Sequence, residues 1–122
     1  MNYQDILDFW FSPETQPNWF AKSDQFDQSL KEKFGDILKQ ASKAELWSWR
    51  KNADGRLAEI LVLDQFSRNI FRDTPGAFAQ DSLALALAQE AISQDLDKQL
   101  SPEQRSFLYM PFMLSLIHIS EP

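Results

Sequence analysis

The 122-residue chain has no cysteine, three glycines and one histidine. Without cysteine there is no disulfide framework and no thiolate to hold a soft metal. So few glycines argue against a turn-dense, β-rich fold. Positive charge is also short: 12 Lys and Arg stand against 18 Asp and Glu, a net charge of −6. Proteins that track a phosphate backbone need the opposite balance, so nucleic acid is not an expected partner. No apolar run approaches the ~20 residues that span a bilayer, so no membrane is expected either. The opening MNYQDILDFWF lacks a basic stretch and carries Asp5 and Asp8. It is not expected to be a signal peptide, and a cytoplasmic location follows as the expectation. Gly-rich phosphate loops, GxSxG, HExxH and EF-hand patterns are missing, so neither a metal nor a cofactor is expected.

What the chain does have is apolar mass with helical spacing. Apolar residues make up 43%, with ten Phe, four Trp and two Tyr. Asn2 with Asp5 can cap a first helix from Tyr3 to about Phe11, stopped by Ser12-Pro13. Ser23 or Asp24 starts a long helix to about Lys43. Its apolar residues, Phe26, Leu30, Phe34, Ile37, Leu38 and Ala41, form one stripe. Gly35 within it costs up to about 1 kcal/mol against Ala, which implies close packing or local weakness. A short helical turn is expected over Glu45–Arg50. Asp54 is the expected cap of a helix from Gly55 to about Ile70. That helix is apolar nearly all round, so it should be the buried centre of the domain. Thr74-Pro75 should start a fifth helix reaching Ser93. Ser101-Pro102-Glu103-Gln104 reads as a capping box for a last helix, which Pro111 should kink or end. No segment reads as a strand. The fold class is all-α, built of antiparallel helix pairs.

Chemistry concentrates on the central helix. Asp64 and Arg68 are four apart, in the favourable order for a pair, and continue the stripe of Leu57 and Leu61. Arg72 is four further on, and Gln65 and Asn69 add amides. Charges on a buried face must pair or line a cavity. The residues Asp64, Gln65, Arg68, Asn69 and Arg72 are therefore either an anion-binding pocket or an internal clamp. Trp10, Trp19 and Tyr109 are the candidate aromatic lining, although most aromatics of this kind are core.

Longer stretches resemble a known family. LDQFSRNIFRDTPGAFAQDSLALALAQEAI (Leu63–Ile92), ILDFWF (Ile6–Phe11), the pair Trp19-Phe20 and RSFLYMPFM (Arg105–Met113) are similar to the bacterial DUF 924 family, a domain of unknown function. The resemblance implies a tetratricopeptide-like array of helices. Two positions depart from the family's commonest wording: Ser67, where Pro is frequent, and Asp73, where Gly is frequent. The pattern also implies His-Ser-Glu after Met113, with further helices beyond. Here Leu114–Pro122 reads LSLIHISEP, which resembles the conceptual translation of a transposon-type sequencing adapter. Residues 1–113 are thus expected to be the N-terminal part of one helical domain, C-terminally truncated, and 114–122 a non-native tail holding the lone histidine, His118.

Two functions remain open on these grounds. One is a scaffold binding a peptide or protein partner, since helical arrays present concave surfaces and the visible residues lean away from an enzyme. The alternative is an enzyme or small-molecule binder. It would hold an anionic ligand around Asp64, Arg68 and Arg72, completed by residues beyond the chain.

Overall fold

The structure is a computed structural model. It describes the backbone of residues 1–120 and the side chains of 1–113; the side chains of the expected tail, Leu114–Pro122, lie outside the described residues. The described residues form an all-α fold with no strand. Helix α1 spans Tyr3–Trp10, α2 Asp24–Ser42, α3 Ala53–Leu61, α4 Ser67–Ile70, α5 Asp81–Ser93 and α6 Pro102–Ser120. Short 3-10 segments fill the connections Gln16–Asn18, Trp47–Lys51, Pro75–Phe78 and Leu96–Gln99.

The caps explain where the helices start. Asn2 and Asp5 form a reciprocal capping box on α1. The Ser23 hydroxyl accepts from the Phe26 amide at the start of α2. Ser101 and Gln104 make the same reciprocal pair on α6. Three starts and stops differ from the sequence reading. Asn52, not Asp54, caps α3, its Oδ1 accepting from the Gly55 amide at 2.8 Å. Thr74 opens only a 3-10 turn, because its hydroxyl donates back to the Phe71 carbonyl instead of capping forward, and α5 begins at Asp81. Pro111 does not end α6: it removes a single backbone donor, and its ring is buried inside the helix.

The larger difference lies in the centre. Between α3 and α4 the chain makes a π turn over Val62–Phe66, with all five residues buried. A π turn holds more residues per turn than an α-helix, so every side chain after Leu61 is rotated from its place on a regular wheel. The expected stripe from Leu57 through Asp64 to Arg72 is not kept, and the helix stops at Ile70.

Around this axis the core is continuous. Leu57, Ile60, Leu61, Val62, Leu63 and Phe66 are fully enclosed. Phe66 meets Phe34 of α2 at 5.2 Å and Trp10 of α1 at 5.6 Å between ring centres. Phe107 of α6 packs on Trp10 and Trp19. Burying a side chain of this size stabilises by roughly 1.5–3 kcal/mol, so the central helix carries a large share of the fold.

Candidate functional site

The polar residues enter this apolar frame as three hydrogen-bonded groups, the second and third bordering one cleft. On α3, Glu59 is completely buried. Arg50, on the 3-10 segment before α3, closes on it with two bonds: Nε to Oε1 and Nη2 to Oε2, both 2.8 Å. The hydrogen bonds to Glu59 raise the Arg50 pKa above its ordinary value. The sequence reading passed over this pair. The available signal was Glu59 itself, an acid in the middle of a helix apolar on both sides.

Asp64 sits in the π turn and is 1% exposed. Arg68 Nη2 donates to Asp64 Oδ1 at 3.1 Å and to Asp81 Oδ1 of α5 at 2.8 Å. Gln65 Nε2 donates to the other Asp64 oxygen at 2.9 Å. Adjacent side chains do not face one another on a regular α-helix, and the wider turn accompanies their meeting here. Burial pushes the Asp64 carboxyl above its ordinary value, while the Arg68 charge and the bonds from Arg68 and Gln65 pull the other way. The Arg68 guanidinium also lies over the Phe78 ring, 5.1 Å from its centre. Arg68 Nε is buried with no hydrogen-bond partner among the described residues.

Arg72 follows the end of α4 and turns to α2. Its Nε donates to Asp27 Oδ2 at 2.7 Å, and Asn69 Nδ2 donates to Asp27 Oδ1 at 3.0 Å. The Asp27 hydrogen bond raises the Arg72 pKa. Arg72 therefore does not extend the Asp64–Arg68 ridge as expected. Asp27 and Asp81 were not singled out from the sequence. Each lies three residues before a buried residue of its helix, Leu30 and Ala84, and so points toward the core side. That spacing was legible.

Arg68 and Arg72 nonetheless converge on one cleft of about 250 Å³. Its polar lining is Gln65, Arg68, Asn69 and Arg72. Its apolar lining is Trp19, Phe20 and Met110. Of the three candidate lining aromatics, only Trp19 borders this cleft. Trp10 is fully buried in the core. Tyr109 turns toward the 3-10 segment before α6, its hydroxyl donating to Asp97 Oδ2 at 2.7 Å. Trp19 is held in place by its indole Nε1, which donates to the Trp10 carbonyl at 2.9 Å. Phe20 is 76% exposed. Among the described residues no group of three or more His, Cys, Asp or Glu is placed to hold a metal. None of their helices is long and apolar enough to cross a membrane.

A bacterial family described as proteins of unknown function, DUF924, matches residues 6–116. The chain belongs to this family. A solved structure of a protein of unknown function from Agrobacterium tumefaciens is similar, with 40% identity and a TM-score of 0.82 over 90% of this chain. The chain spans 62% of that protein's length. No curated protein matches. Asp73 has φ 66°, in the left-handed region that favours glycine.

Proposed function

We propose that this DUF924 protein is a cytoplasmic small-molecule-binding protein whose site is the Arg68–Arg72 cleft. The ligand it suits has an anionic or strongly accepting head and a flat apolar body. The observation that carries this reading is that Arg68, Arg72, Gln65 and Asn69 line one cleft whose other lining is Trp19, Phe20, Ala21 and Met110. Carboxylates that do not line the cleft hold both arginines: Asp64 and Asp81 hold Arg68, and Asp27 holds Arg72. Arginines fixed this way lose little freedom when they bind a planar acid.

Charge sets the pH dependence. Three carboxylates face two guanidiniums, so the cluster carries −1 when Asp64 is ionised and no net charge when it is protonated. An anionic ligand should bind more tightly as pH falls through the raised Asp64 pKa. The test is calorimetric titration of the full chain with benzoate, phenyl phosphate and benzenesulfonate, the last remaining ionised throughout. Binding that is lost in Arg72→Ala and strengthens at lower pH supports the reading. Absence of binding by all three, or binding indifferent to Arg72→Ala, contradicts it.

A second reading, a tetratricopeptide-like scaffold for a peptide or protein partner, is favoured by Trp47, which is 66% exposed and lies outside the cleft. Capture of a defined polypeptide by the full chain, lost in Trp47→Ala, supports it. Capture unchanged by that substitution contradicts it.

A further inference from the structure

Gly35 stands in the middle of α2, where Gly is about 1 kcal/mol less favourable than Ala. The sequence implies close packing or local weakness as its reason, and packing does not supply one. A Cβ built there would meet nothing nearer than Lys31 Cγ at 3.9 Å, an ordinary contact, and its φ is not positive. Gly35 instead lines a cleft of about 400 Å³ between α2 and α4. This cleft lies against a different face of α4 from the one holding Arg68, being lined there by Ser67, Ile70 and Phe71.

Three features of this second cleft fit together. Lys31 and Lys39 also line it, one helical turn before and one turn after Gly35. The three form an i, i+4, i+8 row, a notch with an ammonium group on either side. Among the described residues neither lysine makes an ion pair. Asp36 is the one acid in the lining, so positive charge prevails there although the chain carries −6.

The second feature is Ser67. It is 1% exposed, and its hydroxyl is buried without a hydrogen-bond partner among the described residues. A helical serine ordinarily donates back to a carbonyl three or four residues earlier. Those residues here lie in the π turn, and the hydroxyl makes no such bond. Ser67 faces α2 near Gly35. The Phe34–Phe66 ring contact and the Asn69–Asp27 bond set the two helices running in opposite directions, with Phe34 beside Phe66. The third feature is the apolar floor of Leu38, Ile70 and Phe71.

We infer that this cleft is a second ligand site, for a small amphipathic monocarboxylate. The carboxylate head sits in the Gly35 notch, accepts from the Ser67 hydroxyl and is flanked by the Lys31 and Lys39 ammonium groups. The apolar body covers Leu38, Ile70 and Phe71. Gly35 and Ser67 each cost the free protein stability, and both costs are offset when the ligand is bound. The site shares no residue with the Arg68–Arg72 cleft and stands or falls separately from it.

The experiment is an amide NMR titration of the full chain with sodium octanoate, with 1-octanol as the uncharged control. Only three glycines are present, so their amides are readily followed. Gly35 and Gly76, both in the lining, should move along one saturable curve while Gly55 stays still. Octanol should bind about tenfold more weakly or worse, the loss of one charge-assisted contact. Gly35→Ala should raise the melting temperature by about 2–5 °C, and Ser67→Ala should not lower it. Each should weaken octanoate binding at least about threefold. The inference is overturned if Gly35 and Gly76 show no saturable movement or if octanol binds as tightly as octanoate. It is equally overturned if the two variants bind like the parent. Movement confined to the side-chain amides of Gln65 and Asn69 would put octanoate in the other cleft and overturn it too.

Discussion

Two ion-pair clusters lie along one buried helix, and they differ in what surrounds them. Arg50–Glu59 is a single bidentate pair closed on a carboxylate with no exposure. Its acid and base are matched one to one, and Glu59 has nothing else to meet. Farther along, three carboxylates hold Arg68 and Arg72, two side-chain amides donate to two of those carboxylates, and both arginines line a cleft. One arrangement consumes its charge internally. The other holds its arginines in position and leaves a face open. A buried pair is therefore weak grounds for a site; access beside the pair is what separates the two.

The largest effect is expected from Arg50→Ala, which strands Glu59 in the core. Denaturant unfolding should show a loss of about 3–5 kcal/mol. Arg68→Ala should cost less, about 2–3 kcal/mol, because Asp64 can take up a proton and Asp81 is partly exposed. Equal losses for the two would erase the distinction between clamp and site. Gly55→Ala comes next. A Cβ there would fall 1.9 Å from the Trp49 carbonyl oxygen, so the 3-10 segment carrying Arg50 must shift. About 1–3 kcal/mol is expected from such overpacking, with loss of the Arg50–Glu59 geometry visible in a structure of the variant.

How much of this was legible in the sequence depends on what each feature rests on. The caps at Asn2, Ser23 and Ser101 are local, three-residue patterns, and they appear as written. The Asp64–Arg68 pair was also legible, because i, i+4 neighbours meet across a small change of pitch. The π turn was not. It depends on how Val62–Phe66 pack against several elements at once, and no residue in that stretch announces it. A regular helical wheel, which lacks the extra residue of the π turn, aligns Arg72 with Asp64, whereas Arg72 bonds to Asp27. Glu59 went unread for a different reason. Its partner lies nine residues earlier on another element, and single-sequence periodicity carries no such pairing.

A smaller effect is expected from pH. The Asp64 pKa is raised in the folded protein, so ionising it costs stability. That cost is absent below the unfolded value near 3.8 and is fully present above the folded value. The parent should therefore gain stability relative to Asp64→Asn as pH falls through the folded pKa toward 3.8. Parallel stability curves for the two proteins would contradict the burial-driven shift. The smallest effect on stability is expected at Phe20. It is largely exposed, so Phe20→Ala should change stability by no more than about 0.5 kcal/mol while weakening a ligand that packs on it.

Under the proposed function, the Arg68–Arg72 cluster serves a ligand and the Arg50–Glu59 cluster serves the fold. Benzenesulfonate titration of the parent chain and Arg72→Ala, with the melting temperature of each, tests this most directly. Arg72 is 30% exposed by side chain, and Asp27 keeps its Asn69 bond when Arg72 is removed. Saturable binding is expected of the parent, with binding at least tenfold weaker in the variant (about 1.4 kcal/mol) and a melting temperature within a few degrees. A large drop in melting temperature with no binding by either protein would show Arg72 to be a second structural clamp and would contradict the claim.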